Sequence, residues 1–227
     1  MNQIEEFQER RTSADIVFDY LYEQIVTLGL LPGTKISEAE IASKFGVSRQ
    51  PVRDAFSRLG NHDLLLVRPQ KATVVKKFSI RTIEAARFGR LAVELEVLHK
   101  AVQVWDGSFM PAFKRNLDLQ QKALDHKDAD GFHQQDYAFH KLLCDAADCA
   151  FAFEIIAANK AQVDRLCVLS LMASDSMTEL VDDHIQIVDQ LDKRDDIGLN
   201  ATIRKHLSRL DGTIEDVHRK HASFFED

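Results

Sequence analysis

Residues 36–59 read ISEAEIASKFGVSRQPVRDAFSRL, and their punctuation decides the fold of the first third of the chain. Ser37 stands three residues before Glu40, a capping-box spacing that starts a short helix. Gly46 stops that helix, and Ser48 can cap a second one from Arg49 to Leu59. On this second helix Val52, Ala55, Phe56 and Leu59 share one face, and Pro51 falls in the first turn, where its missing N–H costs nothing. Two short helices joined by Phe45-Gly46-Val47 have the dimensions of a helix-turn-helix. Upstream, residues 13–29 carry Ile16, Val17, Tyr20, Leu21, Ile25 and Leu28 at helical spacing, and Leu31-Pro32-Gly33 closes that helix. Downstream, residues 64–68 and 73–75 are short β-type runs around Pro69-Gln70-Lys71-Ala72, which predicts a small hairpin.

From Ser79 onward strand signals vanish. Amphipathic helices are expected near 80–104, 110–126, 130–146, 149–173, 177–193 and 196–222. The fold class is therefore mainly α. Three helices and a hairpin form a winged helix-turn-helix over residues 1–78, and an all-helical bundle occupies residues 79–227.

The 227 residues include 45% apolar and 29% charged side chains, with nine glycines and four prolines. That composition suits a folded, helix-rich protein. No window approaches the roughly 20 apolar residues of a membrane span, and the polar, mixed-charge beginning of the chain has no secretory or transit character. Cys144, Cys149 and Cys167 cannot all pair within one chain, and reduced thiols in the cytoplasm are the expectation.

A net charge of −7 argues at first against a nucleic-acid partner. Its distribution reverses that inference. Residues 1–78 hold 11 basic and 10 acidic side chains, and the remainder holds 18 and 26. From Lys44 to Lys77 eight basic residues face only Asp54 and Asp63. A basic stretch beside a helix-turn-helix is the footprint of a phosphate-contacting surface, whereas a merely solvated face of a three-helix unit needs no such concentration. In that geometry the second helix enters the major groove, and its N-terminal part offers Ser48, Arg49, Gln50 and Arg53. Arginine can bond a guanine edge bidentately and glutamine an adenine edge, while serine suits phosphate. Arg68 and Lys71 could reach the backbone or the minor groove from the hairpin.

The run from Ile36 to Val75 resembles the winged helix of GntR-type bacterial transcription regulators, most specifically in FGVSR-x-PVR-x-A. The resemblance implies operator contacts from Ser48, Arg49, Gln50 and Arg53, with a wing from Gln70 to Thr73 in the minor groove. Ala39 and Ala72 depart from the arginine and glycine that many relatives carry.

In the helical part, Asp136 and His140 lie four apart and project from one helix face, while His184 and His206 sit among apolar residues of later helices. A shared cation would satisfy all four, although core or solvated histidines would give the same pattern. Residues 79–222 resemble the FCD-type effector domain, whose D-x-x-F-H and two later histidines match Asp136, Phe139, His140, His184 and His206. The resemblance implies one divalent cation, for which nitrogen-rich ligation favours zinc or nickel. Arg90 and Glu94 match the R-x-x-x-E of the same family. They imply capture of a small organic-acid effector such as a sugar acid, hydroxy acid or dicarboxylate, against the plainer reading of an i,i+4 salt bridge.

The function expected is a homodimeric, ligand-responsive repressor of a catabolic operon that binds double-stranded operator DNA. A regulator with a purely structural ion is the nearer alternative. A metal-dependent hydrolase is the more remote one, because it leaves the basic stretch unexplained and no general base stands beside the ligand set.

Overall fold

The computed structural model describes residues 11–68, 71–171 and 176–226. They fall into two compact units, residues 1–76 and 77–227.

The first unit opens with helix α1 (Ser13–Val26), capped by a reciprocal Thr12–Asp15 box. Strand β1 (Lys35–Ile36) leads into α2 (Glu38–Phe45), where the Ser37 side chain accepts from the Ala39 N–H at 3.2 Å. Gly46 follows at φ 64°, a left-handed turn that glycine takes without strain. Helix α3 (Arg49–Asn61) then buries Val52, Ala55, Phe56 and Leu59 against Val17, Leu21 and Ile25 of α1. Ile16, also part of the α1 stripe, turns out to solvent.

Strands β2 (Leu65–Leu66) and β3 (Thr73–Val75) pair antiparallel with Leu65 opposite Val75. The expected hairpin is thus present, and β1 extends it to three strands in the order β1-β3-β2. Two residues are too few for β1 to show any period-2 signal. Gln70 lies outside the described residues.

The second unit is helical: α4 (Ile80–Val104), α5 (Met110–Asp125), α6 (Ala129–Ala146), α7 (Ala152–Leu171), α8 (Ser176–Asp192), α9 (Asp196–Ser208) and α10 (Leu210–Lys220). The sequence pattern runs on from 196 to 222, but the ladder breaks at Arg209, whose N–H turns to the His206 carbonyl three residues back. The expected break at Ala173 to Ser176 falls mostly on residues 172–175, outside the described residues, as does the Cys167 side chain. Cys144 and Cys149 are buried free thiols, and burial pushes the Cys144 thiol up to about 12.

α4 packs against α6, α7, α8 and α9. Its buried face carries Ile83, Ala86, Val97, Leu98 and Ala101, interrupted by Arg90 and Glu94. Phe113, Phe139, Leu143, Ile187, Leu191 and Ile203 close the apolar core around that interruption. Among the described residues, no helix is long and apolar enough to cross a membrane.

Candidate metal centre and nucleic-acid interface

Asp136 and His140 sit one turn apart on α6, His184 on α8 and His206 on α9, all buried. One potential ligand atom from each lies within 4.8 Å of the others. Local sequence aims them. Asp128 caps α6 by accepting from Gly131 N–H at 2.9 Å, and Asp195 caps α9 from Gly198 N–H at the same distance. Phe139, fully buried, stacks on the His184 ring with centroids 4.0 Å apart and fixes its plane.

An oxygen lies near the Nδ1 of each imidazole, in hydrogen-bonding geometry only at His184. His140 Nδ1 lies 2.8 Å from Glu94 Oε2, His184 Nδ1 lies 2.7 Å from Gln120 Oε1, and His206 Nδ1 lies 3.6 Å from Asp183 Oδ2. The Gln120 contact has a definite sense. Its amide nitrogen donates to Asn116 Oδ1 at 2.7 Å, so its oxygen faces His184 and Nδ1 must donate. The Nε2 lone pair of His184 is then turned inward, buried and without a hydrogen bond, 3.5 Å from Asp136 Oδ1. An outer oxygen holding Nδ1 while Nε2 points to a shared centre is how histidines are oriented around a metal ion.

Protonation favours the same use. Burial works against the ionised Asp136, but the Lys160 ammonium 2.8 Å away leads the charges that hold its carboxyl well below the usual range. Burial pushes the His184 imidazole well below its ordinary value, and the neighbouring His206 adds to that. His140 is lowered by burial despite Glu94 beside it. An ionised Asp136 beside neutral His140 and His184 is the state a late first-row cation binds.

Arg90 and Glu94 adjoin this cluster. Arg90 Nε lies 2.5 Å from Glu94 Oε1, and its Nη2 lies 2.8 Å from His140 Nε2. A lone pair serves one partner, so an ion at His140 Nε2 requires the guanidinium to withdraw. Beside Arg90 is a cavity of about 260 Å³ that is also lined by Arg87, Phe88 and Leu91 of α4 and Arg204 of α9.

Sequence reasoning missed several members of the centre. Gln120 and Asn116 are polar residues at helical spacing on the buried face of α5, a signal that was present. Asp183 is buried and receives Arg209 Nε at 2.5 Å, and against the burial cost His206 and Arg209 lower its carboxyl. Lys160 places Nζ 2.8 Å from Asp136 Oδ2 and 2.5 Å from Asp164 Oδ1. In sequence Lys160 and Asp164 are an ordinary i,i+4 pair, and nothing there marks them as buried.

On the first unit, Ser48, Arg49, Gln50 and Arg53 are exposed at the start of α3. Ser48 occupies the N-cap without a side-chain cap bond, which leaves its hydroxyl available to an incoming acceptor or donor. Arg68 and Lys71, between β2 and β3 in the chain, are exposed. Thr73 differs: it is 8% exposed in β3 opposite Ile36, so its hydroxyl offers little surface to DNA. Not every basic residue of the stretch is committed outward. Arg58 pairs with Asp15 at 2.8 Å and stacks on Phe18, Lys76 pairs with Asp63, and Lys44 meets Tyr20.

Comparison with known proteins assigns both units. Residues 13–75 match the family described as bacterial regulatory proteins, gntR family, and residues 86–209 match the FCD domain. The chain is 32% identical over 211 residues to the HTH-type transcriptional repressor RspR of Escherichia coli (strain K12), covering 93% of this chain and 92% of that protein. It is 22% identical over 213 residues to the gluconate operon transcriptional repressor of Bacillus subtilis (strain 168), covering 91% and 87%. Among solved structures, E. coli McbR/YncC superimposes with a TM-score of 0.78 at 18% identity over 93% of this chain and 100% of that one, a likeness of fold.

Proposed function

This chain belongs to the GntR family of bacterial regulatory proteins and carries an FCD domain, and from that premise we propose that it is a metal-containing, effector-responsive repressor. It is a DNA-binding transcription regulator and not an enzyme. Residues 1–78 act as the operator-reading head and residues 79–227 as the sensing body.

In the head, Arg49, Gln50 and Arg53 read base edges in the major groove, and Ser48, Arg68 and Lys71 contact the backbone. Two copies read two half-sites. In the body, Asp136, His140, His184 and His206 hold one divalent ion, zinc or nickel. Glu94, Gln120 and Asp183 orient the three imidazoles. When bound, the ion supplies positive charge and open coordination positions for a carboxylate. Arg90 supplies a guanidinium suited to the same carboxylate. A small hydroxy, sugar or dicarboxylic acid is the effector class that fits. The regulated genes then belong to the breakdown of such an acid, in keeping with the gluconate repressor among the relatives. Coupling of this kind amounts to about 1–3 kcal/mol between effector and DNA sites.

The observation that carries this reading is the inward, hydrogen-bond-free Nε2 of His184 beside Asp136 in a buried site. A panel of such acids added to metal-loaded protein, read by thermal melting and by release of operator DNA, tests it. An acid that raises melting and weakens DNA binding supports the reading. If no acid does either, the ion is structural only, a reading to which the Arg90–Glu94–His140 contacts lend weight because both charged side chains are already engaged.

A further inference from the structure

The exposed face of the recognition helix carries an acidic residue, and a second reaches it from α2. Each engages a candidate base-reading side chain. Glu38, in the first turn of α2, meets Arg53 along one edge of the guanidinium, with Nε 3.3 Å from Oε1 and Nη2 3.1 Å from Oε2. Asp54 Oδ1 accepts from Gln50 Nε2 at 2.8 Å, one turn back along α3. Solvent-exposed pairs of this kind add little to stability. Two carboxylates on an otherwise basic face therefore call for another explanation.

The chemistry of the two braced groups supplies one. A guanidinium presents five N–H groups in a fixed fork. Glu38 takes the Nε/Nη2 edge, and the Nη1/Nη2 edge is left over. That edge has the spacing to bond O6 and N7 of guanine together. Gln50 gives one amide hydrogen to Asp54, and turning the amide over would set Oε1 against a carboxylate. The amide therefore keeps Oε1 and its second hydrogen for another partner. Such an acceptor–donor pair matches N6 and N7 of adenine.

We propose that Glu38 and Asp54 are positioning residues that set which bases this helix reads, Glu38 through Arg53 at a guanine and Asp54 through Gln50 at an adenine. The proposal rests on the assignment of α3 to the major groove. It adds that discrimination depends on two residues that touch no base. Their charge also repels phosphates, which disfavours binding to duplexes that lack the matching bases.

The test uses the full chain and its Glu38→Ala, Asp54→Ala, Arg53→Ala and Gln50→Ala variants, each confirmed as folded by thermal melting. The wild type selects duplexes from a random pool, and every protein is then titrated against the selected duplex and its single-base substitutions. Glu38→Ala is expected to lose about fivefold or more of the discrimination at one guanine, and Asp54→Ala as much at one adenine. Glu38→Ala is also expected to bind random-sequence DNA more tightly, with a steeper salt dependence, because Arg53 becomes available to phosphate. Where either alanine variant fails to fold, Glu38→Gln or Asp54→Asn is read in its place. Uniform weakening on all duplexes with unchanged ratios, the mark of a structural role, overturns the proposal. If Arg53→Ala and Gln50→Ala leave every ratio at the wild-type value, the major-groove assignment itself is wrong. If those two abolish discrimination while the Glu38 and Asp54 variants keep it, only the positioning role is lost.

Discussion

The two units handle charge in opposite ways. In the head, the core formed by Val17, Leu21, Ile25, Val52, Phe56 and Leu59 is wholly apolar, and the arginines and carboxylates stand outside it. In the body, Arg90, Glu94, Asp136, His140, Lys160, Asp164, Arg165, Asp183, His184 and His206 are all 8% exposed or less. The difference follows the size of the partner. A DNA duplex cannot enter a protein, so its contacts must stay on the surface and bear the screening that comes with it. A small ion can be enclosed, where low dielectric strengthens each contact but leaves any unpartnered charge costly. The head keeps its candidate contact residues outside its core, whereas in the body the candidate ligand groups lie inside the fold beside the apolar core.

That contrast is exposed to attack at several points. The largest effect is expected on the head's surface. Arg49→Ala with Arg53→Ala should cost about 2–6 kcal/mol of operator binding, from about 1–3 kcal/mol for each lost base contact. The melting of the body should be unchanged, since neither residue belongs to it. Electrophoretic mobility shift and calorimetry read the two outcomes separately. A double variant that binds operator normally would remove the surface half of the comparison.

Next comes the body's core. Phe139→Ala should destabilise the body by about 3–5 kcal/mol, the usual cost of deleting a buried phenylalanine. The ring also stacks on His184, so metal content should fall with it. Denaturant unfolding followed alongside metal analysis would show whether the two losses travel together, as shared residues require. Loss of stability with full metal content would separate packing from binding.

Removing the ion should act through mass action. A site held at about 1,000 times its dissociation constant is stabilised by about 4 kcal/mol, so a chelator should lower the melting of the body by a corresponding amount. His206→Ala should be largely insensitive to the same treatment.

The smallest expected effect is the response to pH in metal-free protein. His140 and His184 lie below their ordinary value because burial disfavours the charged ring, so the folded body binds fewer protons than the unfolded chain. Stability should be fully present above about pH 6.5, the unfolded value, and decline as pH falls from there towards the lowered folded values. The carboxyls of Asp136, Glu94 and Asp183 are held down in the fold, and they add a second loss below about pH 4. Asp15 in the head, lowered to about 2 chiefly by its hydrogen bonds with Thr12, belongs only to that second range. Urea titrations at stepped pH should therefore move the body's transition first, and equal shifts of both units would contradict the contrast.

The same asymmetry governs how much of each unit is legible in the amino-acid sequence. The helix-turn-helix is legible because Ser37, Gly46 and Ser48 are local signals and its contacts span few residues. Asp136 and His140 are legible because their spacing fixes a common face. The outer partners are not: Gln120 reaches His184 across 64 positions, and no local pattern announces that. Lys160 and Asp164 look like a solvated i,i+4 pair until α7 packs against α4 and α6 and buries them. Thr73, expected at the DNA, is buried for a related reason. In Thr-Val-Val nothing in the alternation says which residue turns inward, and the register against β1 decides it.

The most direct measurement is the metal content of the full chain purified without chelators, set beside His184→Ala treated identically. One late first-row ion per chain in the wild type, lost from His184→Ala while operator-binding residues are untouched, is the result predicted. A wild type that carries far less than one ion per chain, or a His184→Ala protein that keeps a full complement, would contradict the assignment of these four residues as the metal centre.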